Sequence, residues 1–236
     1  SSALVAGDFR LSTPELKAAL TAGLVEAGIR VLDAGQVPTP VAYFGGRDLG
    51  AAAVFIVTAS HNPPDHNGLK LNLGPLPPTE ADLEALRAAT EARTRSARPP
   101  GAIEPVHLLP RYLEWILGRW RHLERMPPLR VVLDAGNGAW SETGPQAFSK
   151  LGFDVHPLFC RIDGSFPSRP PDSARPGNLA ELCRRAPAAG AALGIAWDGD
   201  GDRVAFVDET GAYLPADAAA VLLARPLLEQ HPGSRV

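Results

Sequence analysis

Short apolar runs alternate with amphipathic segments along most of the chain, and this alternation restricts the fold more than any other feature. The runs end in Gly, Asn or Asp turns, which is typical of strands, and the segments between them carry Leu, Val and Phe at helical spacing. Strands are predicted at residues 4–6, 29–32, 54–57, 129–134, 153–159, 191–197 and 204–208. Alternating strands and helices build largely parallel sheets. We therefore expect an α/β protein with two consecutive α/β domains, each a mixed, largely parallel sheet flanked by helices.

Two helices of the first half can be placed from their caps and apolar positions. One begins at Ser12 or Thr13, with Pro14 in its first turn, and ends at Gly28. Such a start and stop are typical of helix termini. Its predicted apolar stripe is Leu16, Leu20, Leu24 and Val25. A second, charged helix opens at residues 77–79 and has Leu83 and Leu86 as its apolar positions.

Composition excludes several classes of protein. The 236 residues are 45% hydrophobic and 21% charged, which is the balance of a folded domain. A net charge of −3 gives no basic surface, so neither nucleic acid nor an anionic membrane is expected as a partner. The longest apolar run, at residues 51–57, is too short to cross a bilayer. Cys160 and Cys183 lack metal-ligand spacing and favour a reduced, cytoplasmic protein.

The turn that follows this apolar run is the first candidate for a functional site. It reads Thr58-Ala59-Ser60-His61-Asn62-Pro63 and places a hydroxyl at the carboxyl end of a strand, where open α/β sheets bind their ligands. By itself the stretch is more typical of an ordinary Ser/Asn turn. A functional interpretation therefore depends on a second group elsewhere in the chain.

That second group is the turn Asp198-Gly199-Asp200-Gly201-Asp202-Arg203. Its glycines let the backbone fold tightly, and carboxylates about 4 Å apart repel by roughly 4 kcal/mol at an effective dielectric constant near 20. A cation relieves this repulsion, and hard oxygen ligands on a short loop suit Mg²⁺. A solvated acidic turn without metal is the simpler alternative. An EF-hand is rejected because Arg203 stands where its sharp turn needs glycine, and strands flank the loop.

The two turns predict one cleft shared by two domains. Ser60 is a weak nucleophile alone, but a metal ion that gathers phosphate oxygens changes its chemistry. A phosphate on Ser60 would complete the coordination of the metal. Arg10, Arg203 and Lys70 would balance the surplus negative charge. His61 or Lys70 could move the proton of a sugar hydroxyl.

The chain divides at an Arg-, Thr- and Pro-rich stretch between residues 91 and 105. We place the first domain, with the serine turn, at residues 1–104 and the second, with the acidic turn, at residues 105–214. A helix predicted at residues 109–123 bridges them. A helix at residues 216–229 and the start of a strand at residues 234–236 would open a truncated third domain, residues 215–236.

These residues resemble the α-D-phosphohexomutases, the phosphoglucomutase/phosphomannomutase superfamily. The similar motifs occur in the expected order over nearly the whole chain: Gly7-Asp8-Phe9-Arg10, Val37-Pro38-Thr39-Pro40, Thr58-Ala59-Ser60-His61-Asn62-Pro63, Asn67-Gly68-Leu69-Lys70, Asp134-Ala135-Gly136-Asn137-Gly138 and Asp198-Gly199-Asp200-Gly201-Asp202-Arg203. The serine and acidic motifs together are highly specific.

The resemblance implies an isomerase that interconverts hexose 1-phosphate and hexose 6-phosphate by intramolecular phosphotransfer. Ser60 would be phosphorylated in the active enzyme and would pass its phosphoryl group to a hexose phosphate. Hexose 1,6-bisphosphate would be the intermediate and activator.

The resemblance also implies a division of roles among the site residues. One Mg²⁺ per chain would be held by the phosphoserine together with Asp198, Asp200 and Asp202. Arg10 and Arg203 would lie near the phosphoryl group. Lys70 and His61 would assist proton transfer.

The sequence departs from the family pattern in ways that limit the expected activity. The family has four domains, so this chain is expected to be the catalytic half of a larger enzyme and inactive alone. The sugar-selecting Gly-Glu-x-Ser-Gly loop, the fourth domain's phosphate-binding loop and the N-terminal Gly-Thr-Ser-Gly-type segment are absent. Arg169 stands where many members have His. Neither the sugar (glucose, mannose, glucosamine or several) nor the oligomeric state follows from this sequence.

Two other functions stay open. In a Mg²⁺-dependent sugar-phosphate phosphatase or kinase, Ser60 would only bind phosphate, and no isomer exchange would occur. A non-catalytic fragment would bind metal and a partner without acting on hexose phosphates.

Overall fold

Two five-stranded sheets form the framework of the protein, whose computed structural model describes residues 1–92 and 96–234. The first sheet has the order β4-β3-β1-β2-β5. Its strands are β1 (Ser2–Gly7), β2 (Arg30–Gln36), β3 (Ala53–Val57), β4 (Leu69–Leu73) and β5 (Ile103–Pro105). Only the β3–β4 pair is antiparallel within this sheet.

The second sheet has the order β10-β9-β8-β6-β7. Its strands are β6 (Arg130–Asp134), β7 (Asp154–Leu158), β8 (Leu193–Trp197), β9 (Val204–Asp208) and β10 (Tyr213–Leu214). β6 pairs in parallel with β7 and β8, whereas β9 is antiparallel to β8 and β10. The predicted α/β class, with two mixed sheets flanked by helices, is confirmed.

Helices α1 (Thr13–Glu26), α2 (Thr39–Asp48) and α3 (Glu80–Glu91) belong to the first unit. α1 and α2 pack on the sheet, whose core includes the fully buried Leu4 and Ile56. The predicted stripe of α1 is wrong at Leu16, which is exposed. On α3, Leu83 and Leu86 are exposed as well, so a capping box between Thr79 and Asp82 rather than core burial stabilises its start.

Helix α4 (Leu108–Trp120) connects the two units and packs against α2 and α5 (Thr143–Lys150). Leu108 is buried against α2, where a Cβ on Gly45 would lie 2.2 Å from its side chain. The ring of Tyr112 lies 6.0 Å from that of Trp140. The expected bridging helix therefore exists. Its α-helical part ends at Trp120, and a 3-10 helix continues it from Arg121 to Arg125.

In the second unit, α6 (Ala180–Ala188) covers one face of the sheet through Leu182 and Ala186. The last helix is α7 (Ala216–Gln230), whose Val221, Leu222 and Leu223 are exposed. Of the strand predicted at residues 234–236, residues 235 and 236 lie outside the described residues. Within the described part of the chain, no helix is both long and apolar enough to cross a membrane.

Candidate active site

Ser60 lies at the carboxyl end of β3 in a strained, buried turn. The residue is 5% exposed, and its φ of +54° is a left-handed value that a non-glycine residue adopts at a cost of about 1–3 kcal/mol. The Ser60 amide donates to Thr58 Oγ1 at 2.9 Å. A Cβ on Gly199 would lie 2.7 Å from the Ser60 carbonyl oxygen, so the acidic turn packs directly on the serine turn.

Arg10 stabilises the serine turn through hydrogen bonds to its backbone carbonyl groups. Its guanidinium donates to the carbonyl oxygens of Ser60, Asn62, Pro63 and His66 at 2.6–3.2 Å. Its Nε donates to Asp8 Oδ2 at 3.0 Å. A guanidinium has five N–H groups, and all five are used in these bonds. Arg10 is also fully buried. Because every N–H group of its guanidinium is already bonded, no donor is left for a substrate.

Asp8 connects Arg10 to the neighbouring elements. One carboxylate oxygen accepts from the Arg10 amide and from Thr13 Oγ1 at the start of α1. The other accepts from Arg10 Nε and from Thr58 Oγ1. Because β1, α1 and the end of β3 are all hydrogen-bonded through this carboxylate, the network stabilises the strained turn at Ser60.

The serine and acidic turns are joined by direct hydrogen bonds. Ser60 Oγ donates to Asp198 Oδ2 at 2.9 Å, across 138 residues of sequence. Lys70 Nζ, on β4, donates to Asp200 Oδ2 at 2.7 Å and to Asp202 Oδ2 at 2.6 Å. The structure thus brings together five of the predicted site residues from both units.

The charges of this cluster alter the ionisation of its members. The pKa of Asp198 is raised to about 7, first by burial and then by the neighbouring negative charge of Asp200. Burial would also raise the pKa of Asp200, but hydrogen bonding and attraction to Lys70 lower it below its usual value. The pKa of Lys70 is raised, because its two carboxylate partners outweigh its own burial.

The three aspartates have the arrangement of a metal-binding site. One oxygen from each of Asp198, Asp200 and Asp202 lies within 4.8 Å of the others. Asp200 Oδ1 is buried, and it has no hydrogen-bond partner among the residues that the structure describes. A buried carboxylate oxygen without a donor is costly, and a cation would satisfy it. The residues present therefore fit a hard metal ion.

The two remaining predicted site residues lie at the edge of this cluster. Arg203 Nε is 3.9 Å from Asp198 Oδ2, and the side chain is 45% exposed, so the guanidinium keeps donors available to a ligand. His61 follows Ser60 and is half-buried. Its Nδ1 is buried and unpaired within residues 1–92 and 96–234.

Sequence profiles of one family match both halves of the chain. Residues 1–96 match "Phosphoglucomutase/phosphomannomutase, alpha/beta/alpha domain I", and residues 110–211 match the corresponding domain II. The chain belongs to the phosphoglucomutase/phosphomannomutase family. Its resemblance to the N-terminal portion of the α-D-phosphohexomutases is thereby confirmed.

Individual family members are similar over nearly all of the chain. A phosphomannomutase/phosphoglucomutase of Pseudomonas aeruginosa is 39% identical over 98% of the chain, which covers 49% of that protein. A probable phosphoglucosamine mutase of Methanothermobacter thermautotrophicus is 37% identical over 95%, covering 50% of that protein. A family structure from Burkholderia thailandensis superposes with a TM-score of 0.88 at 36% identity, covering 99% of this chain and 52% of that one. The chain spans about half the length of the relatives it matches.

Arg169, the departure from the family pattern, is accommodated by a buried ion pair. Its Nε donates to both oxygens of Asp134 at 3.0 and 2.9 Å, and Nη2 donates to the carbonyl oxygen of Trp197 at 2.8 Å. Trp197 immediately precedes Asp198. The arginine therefore supports the start of the acidic turn.

Thr39 is a member of the site that sequence analysis did not identify. Its Oγ1 donates to Asp200 Oδ2 at 2.7 Å, and its amide donates to the Asp200 carbonyl oxygen at 2.9 Å. Thr39 belongs to the motif Val37-Pro38-Thr39-Pro40, which supported the family resemblance, but no role in the site was assigned to it. The same residue starts α2 and orients Asp200.

Proposed function

We propose that this chain carries the phosphoryl-transfer site of a hexose-phosphate mutase, which interconverts hexose 1-phosphate and hexose 6-phosphate. The observation that carries the proposal is the hydrogen bond from Ser60 Oγ to Asp198, inside a cluster of three carboxylates. One buried oxygen of this cluster has no hydrogen-bond partner among the described residues. A hydroxyl and a metal site in direct contact suit a phosphoserine that shares the metal with the aspartates. Membership of the family supports this assignment.

In this proposal Mg²⁺ is held by Asp198, Asp200, Asp202 and the phosphorylated Ser60. The ion, when bound, neutralises phosphate oxygens and makes the phosphoryl group a better acceptor of a nucleophile. Thr39 keeps Asp200 oriented through its hydroxyl and amide. The left-handed turn at Ser60 places the hydroxyl against Asp198 at the carboxyl end of the strand.

The cations divide into two roles. Arg10 acts as a positioning residue for the serine turn, because its guanidinium donates to the Ser60 carbonyl oxygen, and its charge would lie near a phosphoryl group on Ser60. Arg203, whose guanidinium is half exposed, is assigned to the phosphoryl oxygens. Lys70 and His61 are assigned to proton transfer at the sugar hydroxyl. For Lys70 to accept a proton, it must first leave the carboxylates that hold it charged.

The substrate of the proposed enzyme is a small-molecule hexose phosphate, and hexose 1,6-bisphosphate is the proposed intermediate. The relatives' names mention mannose, glucose and glucosamine mutases. We propose domain boundaries at residues 1–104 and 105–214, with residues 215–236 opening a third domain. The exposed apolar side chains of α7 support a further layer of protein there. Free thiols at Cys160 and Cys183 support a cytoplasmic location.

Isomer exchange is the decisive assay for this function. The full-length protein that contains this chain, with Mg²⁺ and a trace of glucose 1,6-bisphosphate, is expected to convert glucose 1-phosphate or mannose 1-phosphate to the 6-phosphate. Ser60→Ala should abolish conversion, whereas Ser168→Ala, at an exposed serine of the second unit, should not. Steady release of inorganic phosphate without exchange would instead identify a phosphatase. Metal binding without either reaction would identify a non-catalytic fragment.

A further inference from the structure

The acidic turn is held at each of its three central carbonyl groups. The Gly199 oxygen accepts from the Ala139 amide at 3.0 Å, and the Asp200 oxygen accepts from the Thr39 amide at 2.9 Å. The Gly201 oxygen accepts from the indole Nε1 of Trp140 at 2.8 Å. Of these three hydrogen bonds, only the one to Gly201 has a side-chain donor. A substitution can therefore remove that bond without altering the backbone.

The ring of Trp140 also fits against the backbone of Gly201. This glycine has a φ of +78°, and a Cβ on it would lie 2.3 Å from Trp140 Cδ1 and 2.4 Å from Nε1. The indole therefore occupies the space of a side chain at position 201. Gly201 lies between Asp200 and Asp202, so a shift of its peptide would move the carboxylates on either side.

Trp140 is itself fixed by both units of the protein. It is 8% exposed and packs with Val41 and Leu108 in the core of the first unit. Its ring centroid lies 6.0 Å from that of Tyr112 on α4 and 6.3 Å from that of Trp197 on β8. A buried side chain with aromatic neighbours on two elements has little freedom to move.

We propose that Trp140 is a positioning residue for the metal site: its indole N–H fixes the Gly201 peptide and thereby the directions of Asp200 and Asp202. This inference rests on the proposed function, because it assumes that the acidic turn binds Mg²⁺. Trp140, in the turn after β6 and far in sequence from the aspartates, would then be one of the residues that determine the geometry of the metal site. It also makes the metal geometry depend on how α4 packs between the two units.

The test compares Trp140→Phe with Trp115→Phe by calorimetric titration of the purified protein with Mg²⁺ alone. Phenylalanine keeps most of the ring packing and removes the N–H donor. Loss of one hydrogen bond to a buried carbonyl predicts Mg²⁺ affinity about 5- to 10-fold weaker. Trp115 is half exposed on α4 beside Phe44 and Tyr112, and the described structure shows no hydrogen bond from it to the acidic turn. Its variant should bind Mg²⁺ within about twofold of the wild type.

A spectroscopic measurement separates positioning from a purely structural role. In protein labelled with ¹⁵N-tryptophan, the indole signal of Trp140 should shift during the Mg²⁺ titration with the affinity measured by calorimetry. The signal is assigned from its absence in Trp140→Phe or, if that variant does not fold, by elimination with Phe variants at the other three tryptophans.

Equal Mg²⁺ affinity of Trp140→Phe and wild type would overturn the inference. An equal loss of Mg²⁺ affinity in Trp115→Phe would also overturn it, as would a Trp140 indole signal that does not shift when Mg²⁺ is added. A wild-type protein that binds no Mg²⁺ would overturn the proposed metal site itself, whereas normal wild-type binding with an unaffected Trp140→Phe variant overturns this inference alone.

Discussion

Replacement of Arg10 tests how the serine turn is held. Arg10→Met removes a guanidinium that is fully buried and uses all five N–H groups on Asp8 and four carbonyl oxygens. The Asp8 carboxylate, 1% exposed, would lose its charged partner. Removal of one member of a buried ion pair costs about 3–5 kcal/mol. For a protein of this size, that corresponds to a melting temperature lower by about 6–20 °C.

Arg10→Lys sharpens this prediction. Lysine keeps the positive charge, but its three donors radiate from one nitrogen and cannot span four carbonyl groups and a carboxylate. We expect it to be destabilising by at least about 2 kcal/mol, since several buried acceptors lose their donors. A residue that acted only through its charge near a phosphate would tolerate this change.

Thermal and urea unfolding followed by circular dichroism measure both effects. Arg87→Met is the matched control, because this arginine is 68% exposed and its ion pairs within the described residues are with neighbouring glutamates on α3. Such surface pairs contribute about 0–1 kcal/mol. Stability of Arg10→Lys equal to that of the wild type, or a loss below about 1 kcal/mol in Arg10→Met, would refute the positioning role of Arg10.

Three further predictions follow from the same site. Lys70→Met should increase the Mg²⁺ affinity of unphosphorylated protein about 5- to 10-fold in calorimetry, since Lys70 competes with a cation for Asp200 and Asp202; unchanged or weaker binding contradicts this. Because the folded-state pKa of Asp198 is about 7, against 3.8 ordinarily, the metal-free protein should lose stability as pH rises from about 4 to 7. Melting temperatures measured with EDTA should fall over this pH range, and they should fall less when Mg²⁺ is present. Melting curves that do not differ between EDTA and Mg²⁺ at any of these pH values contradict the assigned ionisation. Thr39→Val should cost about 1–3 kcal/mol in urea unfolding because Asp200 loses a buried donor. Thr21→Val is the control, since the buried Thr21 Oγ1 has no partner in the described part of the chain; equal losses contradict the role of Thr39.

Local sequence patterns were sufficient for most of the framework. The apolar run before Ser60 forms β3, and the runs on either side of the acidic turn form β8 and β9. The convergence of Ser60, Lys70 and the three aspartates was also foreseen, because carboxylates at alternate positions need a cation and a serine at a strand end suits a phosphate. The structure adds the distances that put these groups in contact.

Side-chain support of the site could not be predicted in the same way. Arg10 was identified only as a positive charge, because its partners are mainly backbone carbonyls, which leave no mark in the sequence. Thr39 and Trp140 contact the acidic turn from distant positions. Which side chain reaches a given loop depends on how the two units pack, and no local spacing encodes that packing.

Burial was the other point at which the sequence fell short. Helical periodicity groups Leu83 with Leu86 and assigns Leu16 to a stripe, but all three are exposed. Periodicity shows which residues share a face of a helix, whereas burial depends on whether another element covers that face. The short edge strands β5 and β10 were missed because two or three residues are too few to show alternation.

Ser60 is proposed to carry a phosphoryl group beside the metal site. Intact-mass measurement of protein isolated from cells, followed by peptide mapping, tests it most directly. We expect a fraction of the protein to be heavier by one phosphoryl group located on Ser60, and this fraction should be retained in Ser168→Ala and absent in Ser60→Ala. In the full-length protein that contains this chain, the fraction should fall when hexose monophosphate is added with Mg²⁺. Unmodified Ser60 that glucose 1,6-bisphosphate and Mg²⁺ also fail to phosphorylate would contradict the account.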